Sequence, residues 1–216
     1  FDARFNAPRT VEVETKNFRL VSSLSGEIGD WGWESGVTLS RSRSEQEAIA
    51  GVYNRYKFHG AITGELCSDG TLASYDGTDL NCASGELLPF YNPFLQGDAA
   101  NDAVLATAQA RPTRSGESTV YGWDANFNGE LFTFNDLPAY ASFGVEARRE
   151  ELSDIPSLDS QAQADKDYLV DVFGFGSSLS EADRTQYAAF AELSISLTEQ
   201  IELQAAGRNH HAGNIS

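Results

Sequence analysis

The 216-residue sequence predicts an all-β chain: about six antiparallel strands forming part of a transmembrane β-barrel wall, with short periplasmic turns and two long extracellular loops. Two features predict it. Segments of roughly ten residues read apolar, polar, apolar, polar, the period of a strand with unlike faces. The connections between them take strict turns, three short and two long. Outer-membrane barrels show this asymmetry because their periplasmic turns are tight while their outer loops are free to grow. A third feature narrows the choice. No run approaches the roughly eighteen consecutive apolar residues of a membrane-spanning helix, so a bilayer crossing by this chain uses strands. Mean hydropathy is negative, which suits a wall in which only alternate residues meet lipid.

The first strand is read over residues 18–28, with Phe18, Leu20, Ser22, Leu24, Gly26 and Ile28 on one face and Arg19, Val21, Ser23, Ser25 and Glu27 on the other. Gly29 and Asp30 form a tight turn. The second strand then sets Trp31, Trp33, Ser35, Val37 and Leu39 against Gly32, Glu34, Gly36, Thr38 and Ser40. Trp31 and Trp33, at a strand end, suit an interfacial girdle, because an indole is apolar and its N–H still needs a partner.

Residues 43–117 read as one long loop holding both cysteines, with a short amphipathic helix over 101–111 that Asn101 caps and Pro112 stops. The third strand, about 120–131, alternates Tyr121, Trp123, Ala125, Phe127, Gly129 and Leu131 with Gly122, Asp124, Asn126, Asn128 and Glu130. A connection over 132–139 leads to the fourth, Ala141, Phe143, Val145 and Ala147 opposite Ser142, Gly144, Glu146 and Arg148. A second long loop, about 151–185, is rich in Asp, Ser and Gln. The fifth strand sets Tyr187, Ala189, Ala191, Leu193, Ile195 and Leu197 against Phe190, Glu192, Ser194 and Ser196. Residues 198–200 turn it into the sixth, 201–208, before an irregular end.

With these segments in view, the chain resembles the barrel domain of TonB-dependent outer-membrane receptors. The resemblance is carried by residues 26–33, by Asn92-Pro93-Phe94, by residues 128–132 and 144–150, and by the run from Tyr187 to Ala206. It covers most of the chain outside the loops, and no single motif carries it. It implies a wall section of a barrel with a plugged lumen, in which residues 1–216 form about a quarter of the wall. The expected location is the outer membrane of a Gram-negative bacterium. The expected partners are outer-membrane lipid, the protein's own plug domain, the remaining strands, the TonB complex reached through an N-terminal region, and a small-molecule ligand. That ligand class is a scarce nutrient, an iron chelate, cobalamin or a saccharide, imported by energy-coupled transport. The chain contains no methionine and opens at Phe1 without a signal-peptide pattern, and it is read as a fragment or a processed chain.

In this setting Asp124, Asn126, Asn128, Glu130, Glu146, Arg148 and Glu192 are the expected lumen-facing residues, joined by Arg19, Glu27, Glu34 and Glu202. Their expected role is structural, pairing across strands and meeting the plug. Cys67 and Cys82, fifteen positions apart, favour a disulfide in an oxidising compartment over two free thiols. No zinc ligand set is formed with His59. His210 and His211 point to opposite faces of a strand. The acidic second loop matches no EF-hand spacing. A net charge of −17 speaks against a nucleic-acid binder. No nucleophile elbow, zincin motif or phosphate loop is present, so no enzyme activity and no cofactor are expected. The competing reading is a soluble or cell-surface β-sandwich that binds carbohydrate or protein through the same loops, since alternation alone does not tell lipid from a second sheet.

Overall fold

The computed structural model describes residues 7–95, 99–167, 169–198 and 200–213. Six long strands form one antiparallel sheet: β1 (Thr10–Ile28), β2 (Trp31–Ala50), β5 (Thr113–Phe134), β6 (Leu137–Pro156), β7 (Ser180–Thr198) and β8 (Ile201–Ala212), in the order β1-β2-β5-β6-β7-β8. Between β2 and β5 lie helix α1 (Arg55–Thr63), a two-residue ladder β3 (Ser74–Tyr75) with β4 (Leu80–Asn81), and helix α2 (Ala99–Ala108). Two short 3-10 turns (Leu158–Ser160 and Ala164–Lys166) lie between β6 and β7. Every neighbour in the large sheet is the next long strand in the chain. The three tight turns therefore share one end of it and the two long connections share the other.

All six expected strands are present, and each runs longer than its apolar alternation. The loops expected over 43–117 and 151–185 shrink to the residues between Ala50 and Thr113 and between Pro156 and Ser180. The extra strand length mixes charged and apolar residues without the clean alternation, and charge pairs cross between strands there. Arg41 meets Glu117 at 2.7 Å, and Arg114 forms a two-bond ion pair with Asp154. The connection expected over 132–139 is a two-residue turn. Asn135 and Asp136 take φ of 52° and 61°, and Asn and Asp tolerate this left-handed region better than other side chains. At the third turn, Thr198 Oγ1 accepts from the N–H groups of Gln200 and Ile201. The β7–β8 ladder runs from Gln186↔Ala212 to Thr198↔Ile201, with an irregularity near the turn.

The chain divides into two compact units. The loop unit comprises Phe1–Glu14, Ser44–Gly116 and Asp154–Leu179, and the sheet unit comprises Thr15–Arg43, Glu117–Ser153 and Ser180–Ser216. The loop unit has an apolar core of Tyr53, Phe58, Ala61, Leu66, Tyr91, Val104, Leu105 and Ala108. A second cluster joins Ala48 and Val52 to Val172. The two long connections thus fold into each other: Phe173 donates its N–H to the Tyr53 carbonyl at 3.0 Å and sets its ring edge-on to Phe58.

Helix α1 was not expected from the sequence. Asn54 caps it, Oδ1 accepting from the N–H groups of Tyr56 and Lys57, and Gly64 closes it with φ of 77°. Helix α2 is real but begins at Ala99 and ends at Ala108, so Asn101 is inside it and does not cap it. Its buried amide is drawn instead to the preceding turn over residues 92–95. Pro112 is not the stop, because the chain has already left the helix for an extended path toward β5.

Candidate functional site

The sheet unit has two unlike faces. The first carries Trp31 and Trp33 of β2, Phe127 of β5 and Phe143 of β6. Trp31 lies 5.6 Å from Phe143, and Phe127 stacks on Phe143 at 5.4 Å. Both tryptophans lie over glycines of a neighbouring strand. A Cβ at Gly26 would meet the Trp33 indole at 2.9 Å, and one at Gly129 would meet Trp31 at 2.8 Å. The glycines clear the space in which the rings lie flat beside the tight-turn end.

Following alternate residues on this face gives an uncharged band in every strand. It runs from Phe18 to Ile28, Trp31 to Leu39, Tyr121 to Leu131, Leu137 to Ala147, Tyr187 to Leu197 and Ile201 to Gly207. In the first five, charge returns beyond the band with Lys16, Arg41, Glu117, Arg149 and Asp183. Arg41–Glu117 and Arg149–Asp183 are ion pairs at 2.7 and 3.6 Å, so the charged positions of adjoining strands share one level. Strands of nine to eleven residues, tilted by about 45°, span a layer about 25 Å tall.

The band is also exposed. Leu24, Ile28, Val37, Tyr121, Leu131, Phe143, Val145, Tyr187 and Leu203 all lie open, Leu24 at 72%. Both packed apolar clusters among the described residues belong to the loop unit. Within the band, Trp123 donates its indole N–H to Ser35 Oγ at 3.0 Å, and Ser35 donates to the Asp124 carbonyl at 3.0 Å. Ser35 is the one hydroxyl in the β2 stripe, and this contact gives it a purpose that the sequence did not disclose.

The second face is polar. Asp124 and Asn128 lie over Gly36 and Gly32, 3.3 and 3.5 Å from where a Cβ would stand. An open groove of about 460 Å³ brings Asp124, Glu146 and Arg148 together with Arg19 and Thr38. Another, of about 370 Å³, gathers Asn128 and Glu192 with Ser142, Ser194 and Gln204. Glu146 accepts from Arg208 at 2.8 Å, and Glu150 from both Arg148 and Arg184. Glu202 accepts from Ser194 and Gln204. Glu130 stands apart near the turn, accepting from Thr133 Oγ1. Asn126 lies between Asp124 and Asn128 in the alternation of β5 and lines neither groove. Phe190 breaks the polar pattern, its ring filling the space over Gly144. A glycine one strand away is the only sequence signal that could have found it.

In the loop unit Cys67 and Cys82 are joined by a disulfide, with Cα atoms 5.9 Å apart. Inside the closed loop Asp69 accepts from the Ser84 hydroxyl and from the Thr71 hydroxyl and N–H, which hold its carboxyl down at about 2. Asp76 is likewise lowered, by the N–H groups of Asp79 and Thr78 and then by the Asn81 amide. These carboxylates serve as internal acceptors that turn the backbone. Lys166 is raised by its hydrogen bond to Asp171 at 2.6 Å.

Comparison of the chain with models of protein families, with curated proteins and with solved structures gives no match.

Proposed function

We propose that the chain is a wall section of an outer-membrane β-barrel receptor of the TonB-dependent kind, whose loop unit helps capture a ligand and whose polar face lines the lumen. One observation carries this reading: an uncharged, exposed band of nearly constant height on one face of all six strands, with tryptophans at the tight-turn end and ion pairs at the other. Water offers no reason to expose that face. Hydrocarbon does, because there the apolar side chains are solvated and the backbone polar groups of the inner strands are already held in the ladder. The edge strands β1 and β8 fit the same reading. They are exposed along nearly their whole length, and in a closed wall further strands would pair with them.

The receptor class and the import of an iron chelate, cobalamin or a saccharide rest on the resemblance of the strand segments. The inward charges take a structural role, as paired partners for a plug, and no covalent step is assigned.

The test has two parts. In the native host, the protein encoded by the full reading frame is expected to resist extraction by alkaline carbonate and to migrate faster on a gel unheated than heated. Release into buffer as a monodisperse species would return the chain to the β-sandwich reading. Equilibrium binding by the full-length protein to iron chelates, cobalamin and oligosaccharides then fixes the ligand, and absence of binding and uptake across that panel would remove the receptor assignment while leaving the barrel.

A further inference from the structure

Just beyond the uncharged band, the same face of the sheet holds an open groove of about 570 Å³. Glu117 and Thr119 of β5, Arg149 and Glu151 of β6, and Glu181 and Asp183 of β7 line it, all within the sheet unit and at the alternate positions that continue the band. Two positions nearer the tight turns, Tyr121 and Ala147 belong to the uncharged stretch. The groove therefore sits where the band gives way to charge, the level at which a lipid changes from chain to headgroup.

Its charge is unbalanced. Glu117 is answered from β2, on the far side of β5, by Arg41 at 2.7 Å and by the field of Arg43. The three remaining carboxylates, Glu151, Glu181 and Asp183, share one lining guanidinium, Arg149, which reaches Glu151 at 2.9 Å and Asp183 at 3.6 Å. Three negative charges against one positive leave an excess of two on β6 and β7. Glu181 is exposed and has no ion-pair partner among the described residues.

Thr119 supplies an independent sign of a ligand. It is 8% exposed and lines the groove. Among the described residues its hydroxyl makes no hydrogen bond, yet the unpartnered side-chain atoms sealed from solvent are Arg55 Nε and Asp171 Oδ1 alone. The Thr119 oxygen thus keeps an opening, and the groove is the space it lines. A nearly enclosed hydroxyl without a protein partner is a hydrogen-bonding group held ready for something that enters.

Chemistry narrows the occupant. An excess of carboxylates repels phosphate and draws a cation. Among the described residues no three His, Cys, Asp or Glu side chains stand close enough to hold a metal ion. An ammonium asks for less, since its three donors can each take a single acceptor from a separate residue in a charge-assisted hydrogen bond. The adjoining uncharged band supplies a path for what the ammonium is attached to.

We propose that this groove binds the primary ammonium of a lipid headgroup, with Glu151 and Glu181 supplying charge, Thr119 an acceptor, and the acyl chains running down the band past Tyr121 and Ala147. The proposal rests on the membrane reading of this face and adds a headgroup preference to it.

The test uses the full-length protein in detergent micelles, offered dioleoyl phosphatidylethanolamine, its N-acetyl derivative or dioleoyl phosphatidic acid, with bound lipid counted by native mass spectrometry. The ethanolamine lipid is expected to be retained roughly tenfold better than its N-acetyl derivative, which keeps the phosphate and chains but has no ammonium. In the double variant Glu151→Gln and Glu181→Gln that preference is expected to vanish, and in Thr119→Val to fall by roughly half. Asp30→Asn, in the tight turn at the opposite end of the sheet, is expected to leave it unchanged. Equal retention of the two lipids by the unaltered protein, or a preference that survives the double variant, overturns the proposal. A preference for phosphatidic acid that a chelator abolishes also overturns it, by placing a divalent cation in the groove. Carbonate extraction in the native host separates the two failures: a protein released into buffer loses the membrane reading and this proposal together, whereas one that stays in the membrane without discriminating headgroups loses the proposal alone.

Discussion

The loop unit and the sheet unit use the same apolar residue types in opposite ways. Leu66 and Val104 of the loop unit are fully enclosed, whereas Leu24, Phe143 and Leu203 of the sheet unit stand open. The first arrangement is the ordinary result of burial from water, each large side chain contributing about 1.5–3 kcal/mol. The second leaves its large apolar side chains open. It is held by its backbone ladder and by aromatic contacts along one face, Trp31 tilted against Phe143 and Phe127 stacked on it. Apolar residues are thus disposed in two ways in one chain, and each unit is to be broken by a different substitution.

The largest expected effect is in the loop unit. Leu66→Ala removes an enclosed side chain and should cost about 2–5 kcal/mol. Hydrogen exchange on the folded protein should then show the amides of α1 and α2 exchanging faster, with the β7–β8 ladder unchanged. Equal loosening of both would mean that the two units are one cooperative body.

Next comes the band. Phe143→Arg, at the middle of the uncharged stretch of β6, should cost about 2–4 kcal/mol in a bilayer, read from urea unfolding in lipid vesicles. Asn126→Arg, on the polar face, should cost less than about 1 kcal/mol by the same measure, as a change away from any apolar face. Similar losses for both would erase the distinction between the faces.

Reduction of the Cys67–Cys82 bond frees a closed loop of roughly fifteen residues, worth about 3 kcal/mol in the chain-entropy model. The expected readout is rapid proteolytic nicking between the two cysteines in reductant, with the sheet fragments left intact. Unaltered protection would show that the hydrogen bonds of Asp69 and Asp76 hold the segment unaided. A smaller loss, about 1 kcal/mol, is expected for Asn54→Ala, which leaves the first N–H groups of α1 without their acceptor. Amide exchange confined to residues 55–58 would report it.

The same contrast explains what could be read in the sequence. The strands of the sheet unit were legible because a period of two, with one face uncharged, is a local signal. Their extensions were not, since partners that meet across strands there, such as Arg41 and Glu117, are 76 positions apart in the sequence. The turn at Asn135 and Asp136 hid behind the apolar residues around it. In the loop unit, α1 escaped notice because its cap, Asn54, stands before a mixed run, and its buried face is completed by Tyr91 and Leu105 from far along the chain. Asn101 was visible as a capping type but bonded to a different turn. Two small-residue choices, Ser35 for the Trp123 N–H and Gly144 beneath Phe190, acquire meaning only from the neighbouring strand.

The smallest expected effect concerns acid. Asp69 titrates near 2 in the folded loop against an ordinary carboxylate value of 3.8, because Ser84 and Thr71 donate to its charged form. A carboxyl whose folded value is depressed adds stability that is fully present above the unfolded value and is lost as pH falls through the folded one. The disulfide-closed segment should therefore loosen between about pH 4 and pH 2, seen as faster exchange of the Thr71 amide. The carboxylate is solvent-facing, so the change should stay local and small. Asp69→Asn keeps an acceptor for Thr71 but cannot titrate, so its exchange profile should be flat across the same interval. A wild-type profile equally flat would show that the carboxylate's three bonds contribute nothing to holding the loop. The order of the segment would then come from the cysteine bond and from the chain packed beneath it.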